Sequence, residues 1–179
     1  PRTFRYQKPV PALFMPSLSR TYLFYLHRCL NRVPIYHKQF HLRLSGIMNE
    51  LKKPEDKISL HNAMLASVLP QWKQPQIELW GWEYPLVSGQ TYYFCGIRSE
   101  QWPSSQAVFK EFSWPEAVCF QAIPKIDIPF TQLFCQHVWL PRTAYQTNFS
   151  LQLEKWNYHI ADDKWIFSDL FLPIFEAKT

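Results

Sequence analysis

Cysteine is scarce in this chain: Cys29, Cys95, Cys119 and Cys135 are the four among 179 residues, and no two stand in C-x-x-C or C-x-H spacing. Six histidines are present, yet none belongs to an H-E-x-x-H pattern, so the sequence offers neither a zinc site nor any other metal or cofactor motif. Cys95 and Cys119 lie inside apolar runs, where a reduced, buried thiol is the common state, and this fits a cytoplasmic protein. Long hydrophobic runs are missing too. The most apolar early stretch, Ala12 to Leu30, is broken by Pro16, Arg20, His27 and Arg28, whereas a membrane span needs about 20 mostly uncharged apolar residues. No signal peptide is visible, and a chain that begins at Pro1 without Met reads as an excised or processed piece. The formal net charge of +5 favours acidic surroundings such as nucleic acid, but there is no run of five or six basic residues. Arg2, Arg5 and Lys8 form the densest basic cluster. With no helix-turn-helix or dense basic stripe, direct DNA binding by these residues is not expected.

Aromatic residues, in contrast, are plentiful: they make up 17% of the chain and include eight tryptophans. That is more than core filling usually requires, and it suits a protein that encloses an apolar or flat guest. With 47% hydrophobic residues, the length supports one domain with a substantial core plus an appendage.

Residues 1–6 have too little hydrophobic material to fold alone and read as the end of a preceding domain. Residues 7–36 carry Pro9, Pro11, Pro16 and Pro34 around the run Tyr22-Leu23-Phe24-Tyr25-Leu26, the composition of a tethered linker or arm. Between His37 and Met48, Phe40, Leu42 and Leu44 alternate with polar residues as in a strand. Pro54-Glu55-Asp56 puts acidic groups where a helix N-terminus wants them, and Ile58, Leu65, Val68 and Leu69 form an apolar stripe running to Pro70. Strands follow at Gln76 to Tyr84 and Gln90 to Ile97. The same order then returns: strand pieces at Val108 to Phe112 and Ala117 to Ile123 flank Ser113-Trp114-Pro115, and Asp127 caps a helix holding Ile128, Phe130, Leu133, Phe134 and Val138. A strand pair closes the chain. The order is β-α-β-β twice, and a sequence trace supports the duplication: Ile77 to Tyr84 aligns with Leu151 to Tyr158, matching Trp82 to Trp156 and Tyr84 to Tyr158. Under that alignment Trp80 takes the place of Glu154, so a pseudo-two-fold fold would set the two facing each other across a cleft.

The stretch from Phe149 to Ile174 is the most informative. Its period of two puts Gln152, Glu154, Trp156 and Tyr158 on one face and Leu151 and Leu153, with Phe149, on the other. After a turn at Ala161-Asp162-Asp163, Trp165 to Leu172 reads as the second strand of a hairpin, ending at Pro173. A carboxylate among aromatic rings is costly unless it is paired, protonated or given a cationic guest. Glu154 is therefore either the acidic group of a binding site or a solvated residue on the outside of a sheet.

Element order and motifs together resemble the GyrI-like effector-binding domain, also called right-origin-binding-protein-like. The resemblance rests on Ser45-Gly46-Ile47, Pro115-Glu116-Ala117-Val118-Cys119-Phe120, Trp139-Leu140-Pro141, Leu153-Glu154-Lys155-Trp156 and Leu172-Pro173-Ile174. It implies an α+β fold for residues 37–179: duplicated βαββ halves with pseudo-two-fold symmetry, antiparallel sheets and two main helices around a central cleft. The acidic residue of the family's penultimate strand corresponds to Glu154, which in multidrug-responsive relatives sits among aromatics and attracts flat or cationic molecules. Trp156 stands where the family often has Tyr, a departure that removes a hydroxyl. Pro1, Phe4 and Arg5 resemble the close of AraC-type DNA-binding domains.

The resemblance thus implies the effector-binding domain of a bacterial AraC-family transcription regulator. Its small-molecule ligand would be held by Glu154, Trp156, Trp80, Trp82, Tyr93, Phe120 and Trp139. DNA would be bound through a further N-terminal domain, RNA polymerase is a candidate contact, and catalysis is not expected. Two alternatives stand beside this reading. One is a GyrI-like hydrolase with Glu154 as base, and the other is a protein-interaction domain with no ligand.

Overall fold

Two β-α-β-β units follow one another along the chain, as the alternation of strand and helix patterns implies. In the computed structural model, which describes residues 33–53, 56–102, 107–121 and 128–176, the first unit comprises β1 (Ile35–Leu51), α1 (Asp56–Val68), β2 (Gln76–Pro85) and β3 (Thr91–Arg98). The second comprises β4 (Val108–Gln121), α2 (Ile128–Phe134), a short β5 (Tyr145–Thr147), β6 (Leu153–His159) and β7 (Lys164–Glu176). Val33–Thr179 forms one compact unit. The expectations for residues 1–32, for Pro54 and Glu55, for Ile123, for Asp127 as a cap, and for the side chains of Ile128 and Phe130 lie outside the described residues. The fold is α+β with duplicated halves.

The halves are joined edge to edge. Antiparallel pairing runs in the order β4-β1-β3-β2-β6-β7, and β7 returns to pair with β4 from Ala117↔Pro173 to Gln121↔Asp169, so the six long strands close on themselves. Closure gives each of these strands a neighbour on both sides over part of its length, so none is a full-length edge strand. One apolar cluster draws on all six strands and on neither helix, with Leu44, Trp80, Phe94, Trp114, Leu153 and Phe171 among its members, and it is the barrel interior. A small barrel has room inside for side chains alone. A second cluster lies outside the wall, where Leu60, Met64, Leu65 and Val68 of α1 pack on Ile77, Leu79, Tyr93, Cys95 and Ile97.

Local chemistry explains the departures from the sequence reading. The strand expected to break at Ser113-Trp114-Pro115 is continuous, because the irregularity is shared with its neighbour. Pro115 has no N–H for the ladder, and Gln39, between the pairs Lys38↔Glu116 and Phe40↔Trp114, takes a φ of 53°. Strand β7 runs past Pro173 to Glu176, since β5 supplies a partner for its end. Strands β1 and β3 also approach unusually closely at Gly46↔Gly96, where a Cβ on Gly46 would come 2.1 Å from the Cys95 carbonyl oxygen. That accounts for the glycine of Ser45-Gly46-Ile47. On α1, Ile58 is exposed and His61 is buried. The buried stripe therefore runs through residues 60, 61, 64, 65 and 68, which keeps the expected Leu65 and Val68 and leaves out Ile58.

Candidate functional site

Strand β6 sits between β2 and β7, and Glu154 lies opposite Gly81 on one side and Leu170 on the other. Strand alternation turns Leu153 into the barrel and Glu154 outward, beneath α1, where it is 1% exposed. A carboxylate this deep requires donors, and the surrounding elements supply three. Lys57 Nζ, from the first turn of α1, lies 3.0 Å from Oε1. Tyr93 Oη, from β3, donates to Oε2 at 3.0 Å, and Trp156 Nε1 donates to the same oxygen at 3.2 Å. Of the alternatives the sequence left open, the structure takes the paired one, with the chain's own ammonium as partner.

Lys57 bridges two acids, since its ammonium also contacts Glu83 Oε1. Among the described residues it is the one cation within ion-pair reach of either carboxylate, so two acids share one ammonium. Burial opposes the charge on Lys57, but the facing Glu154 and Glu83 outweigh it and hold the ammonium's pKa above its usual value. The ammonium also sits 5.0 Å from the centroid of the Tyr93 ring, within cation–π distance. Asp56 fixes this end of the helix: its Oδ2 accepts from the backbone N–H groups of Lys52 and Lys53 at 2.9 and 3.1 Å.

Gly81 makes the geometry feasible. A Cβ there would stand 1.9 Å from Tyr93 Oη, so the missing side chain is the space through which the phenol reaches Glu154. Behind the phenol, His61 Nε2 lies 2.9 Å from Tyr93 Oη. The phenol proton is committed to Glu154, so His61 carries its proton on Nε2 and donates it to Tyr93. Its Nδ1 is then a bare acceptor, buried without a hydrogen-bond partner among the described residues. Burial, helped by the Lys57 charge, lowers the His61 pKa to about 3 and keeps the ring neutral. The Tyr93 hydroxyl is pushed well above its ordinary pKa by burial and then by the Glu154 charge. Trp156 and Trp165 wall the cluster, with ring centroids 5.0 and 5.2 Å from His61.

The structure brings together three of the seven site residues the sequence points to: Glu154, Trp156 and Tyr93. Trp80 and Trp82 point the other way, into the barrel. Trp80 stands opposite Lys155 on the strand paired with β6, so it does not face Glu154 across a cleft. Its indole donates to Glu78 at 3.0 Å and carries Lys155 and Arg98 near its ring. Trp82 donates to the Ser150 carbonyl at 3.0 Å. Phe120 and Trp139 pack edge to face in a separate aromatic group with Phe134 and Tyr145.

Sequence reasoning missed Lys57, His61, Glu83 and Gly81. A signal for two of them exists: Lys57 and His61 are spaced i, i+4 and precede Met64, Leu65 and Val68 on one helical face. Among the described residues there is no metal-binding group of His, Cys, Asp or Glu, and no helix is long and apolar enough to cross a membrane.

No protein-family model and no curated protein matches the chain. Solved structures do. A hydrolase from Listeria innocua is 9% identical with a TM-score of 0.51, over 80% of this chain and 92% of that one. An uncharacterized conserved protein from Listeria innocua is 10% identical with a TM-score of 0.51, over 80% and 93%. A third protein, solved with tetraphenylphosphonium bound, is 13% identical with a TM-score of 0.49, over 80% and 94%. At these identities the likeness is one of fold, and it agrees with the α+β architecture described above.

Proposed function

We propose that this domain binds a small-molecule effector, a flat or cationic compound recognised by Glu154, and that it serves a bacterial transcription regulator of the AraC family. The observation that carries the ligand reading is the arrangement of two carboxylates, the buried Glu154 and the partly exposed Glu83, around a single ammonium, beside the rings of Tyr93 and Trp156. Such a cluster has one acid more than it has cations, and its aromatic neighbours offer a cation–π face. A cationic guest relieves the imbalance. Binding regulates only if the guest prefers one arrangement of the protein, and α1, which carries Lys57, is the element such a guest would shift. The AraC assignment, with DNA and RNA polymerase as partners of the whole regulator, rests on the resemblance of Pro1, Phe4 and Arg5.

The test is a tryptophan-fluorescence titration with a flat aromatic cation such as ethidium. Glu154→Gln keeps the shape and removes the charge, and it should weaken binding by roughly tenfold or more, the equivalent of about 1.4 kcal/mol. Equal affinity for the two proteins would remove the carboxylate from the account.

One observation favours a hydrolytic reading: the Tyr93 phenol adjoins Glu154. We rank it second, because both oxygens of Glu154 already accept hydrogen bonds and a general base needs one turned toward water. Turnover of an electrophilic compound that disappears in Glu154→Ala would reverse the order.

A further inference from the structure

We infer that the Lys57 ammonium is the resident occupant of an alkylammonium subsite formed by Glu154, Glu83 and the face of Tyr93, and that a cationic effector binds by displacing it. The inference rests on the ligand-binding reading for the effector, but the subsite itself stands on geometry. Nζ is 3.0 Å from Glu154 Oε1, touches Glu83 and lies 5.0 Å from the Tyr93 ring centroid. Carboxylates on one side and an aromatic face on another is how a protein holds a foreign ammonium ion. Here the ion comes on a flexible four-carbon stem, from a helix that packs on the barrel wall through Leu60, Met64 and Leu65.

The two acids are not equivalent hosts. Glu154 is 1% exposed, whereas the Glu83 side chain is 35% exposed. Lys57 can therefore leave the buried acid and keep the exposed one, at the solvent edge of the site. A guest bringing an N–H-bearing cation to Glu154 leaves neither carboxylate bare. This sets the ligand class: a primary or secondary ammonium on a slender stem fits what Lys57 vacates, and a quaternary ammonium, having no N–H to give, fits it less well. It also ties occupancy to α1, because Lys57 is the second residue of that helix.

Chemical rescue tests the subsite. Lys57→Ala should melt below the wild type, and n-propylammonium, which restores the atoms removed, should raise its melting temperature by roughly 5–10 °C at a hundred times its dissociation constant. Tetramethylammonium or sodium at equal ionic strength should do much less. Wild type, where the amine must first displace Lys57, should show a much smaller propylammonium-specific rise, and Lys57→Ala/Glu154→Gln, with the buried acid gone, should show none. Absence of rescue, or an equal rise in the wild type, overturns the inference. If Lys57→Ala folds only in the presence of the amine, that is the same rescue at full amplitude. A second variant, Lys57→Met, keeps the stem without the charge and should bind a flat primary ammonium, 2-naphthylmethylammonium, at least tenfold tighter than the wild type; unchanged or weaker affinity counts against displacement. Rescue reports on the subsite, whereas Glu154-dependent ethidium binding by the wild type reports on the effector reading, so either can fail alone.

Discussion

Gly81→Ala is the smallest change that should dismantle the site without touching a charged residue. A methyl group at residue 81 would stand 1.9 Å from Tyr93 Oη and 2.6 Å from Cζ. Ordinary contact is about 3.5 Å or more, so the phenol must withdraw by on the order of 1.5 Å. Its 3.0 Å bond to Glu154 cannot survive that movement, and His61 loses its acceptor with it. Forced overpacking in a tight interior costs about 1–3 kcal/mol. Loss of a hydrogen bond to a buried charged group costs about 1.5–3 kcal/mol. Together they place Gly81→Ala at about 2.5–6 kcal/mol below the wild type, read as a lower urea midpoint at unchanged slope. Tyr93→Phe removes the hydroxyl by itself and should cost about 2–3 kcal/mol. In the double variant the hydroxyl is lost only once and the nearest clash is gone, so the combined cost should fall short of the sum by at least about 1 kcal/mol. Additive costs, or a Gly81→Ala protein as stable as the wild type, would show that the phenol does not thread past residue 81 and would refute this geometry.

The remaining predictions separate the outer site from the barrel. His61 is neutral in the fold with a pKa of about 3, below its ordinary value of 6.5, so its contribution is complete above pH 6.5 and drains away as the pH falls toward 3. Across that window the wild type should lose about 1.4 kcal/mol per pH unit more than His61→Gln, measured by urea denaturation at several pH values. Trp156→Phe strips a donor from Glu154 and should alter ethidium affinity, whereas Trp80→Phe, on the opposite face, should leave it unchanged while lowering stability. Phe94 is fully buried within the barrel, and Phe94→Ala should cost about 3–5 kcal/mol in the same denaturation assay.

How much of this was legible in the letters follows from which interactions are local. The period of two in β6 correctly assigned Glu154 and Trp156 to one face and Leu153 to the other, because alternation is fixed within a strand. Which face is inside a barrel is not local. Trp80 and Trp82 group with Glu154 in the sequence because they are aromatic and because the duplicated segment aligns Trp80 with Glu154 and Trp82 with Trp156. Pairing brings Gly81, not Trp80, opposite Glu154, and that one-residue difference turns both tryptophans inward. Lys57 is hard to assign for a related reason: it meets Glu154 across 97 positions of sequence, and its helical spacing to His61 marks the face it lies on but not the carboxylate it meets. His61 took the place expected of Ile58 because a hydrogen-bonded neutral histidine can occupy an apolar stripe that hydrophobicity alone assigns to aliphatic residues. Closure of the sheet by β4 against β7 also depends on register between distant strands, so two facing halves and a sealed barrel predict the same order of elements.

The most direct measurement is a crystal structure of the domain with a bound aromatic cation. The account predicts the cation between α1 and β6, in contact with Glu154 and Trp156, with Lys57 withdrawn toward Glu83. A cation lodged inside the barrel against Trp80 and Trp82, with the Lys57–Glu154 pair intact, would contradict it.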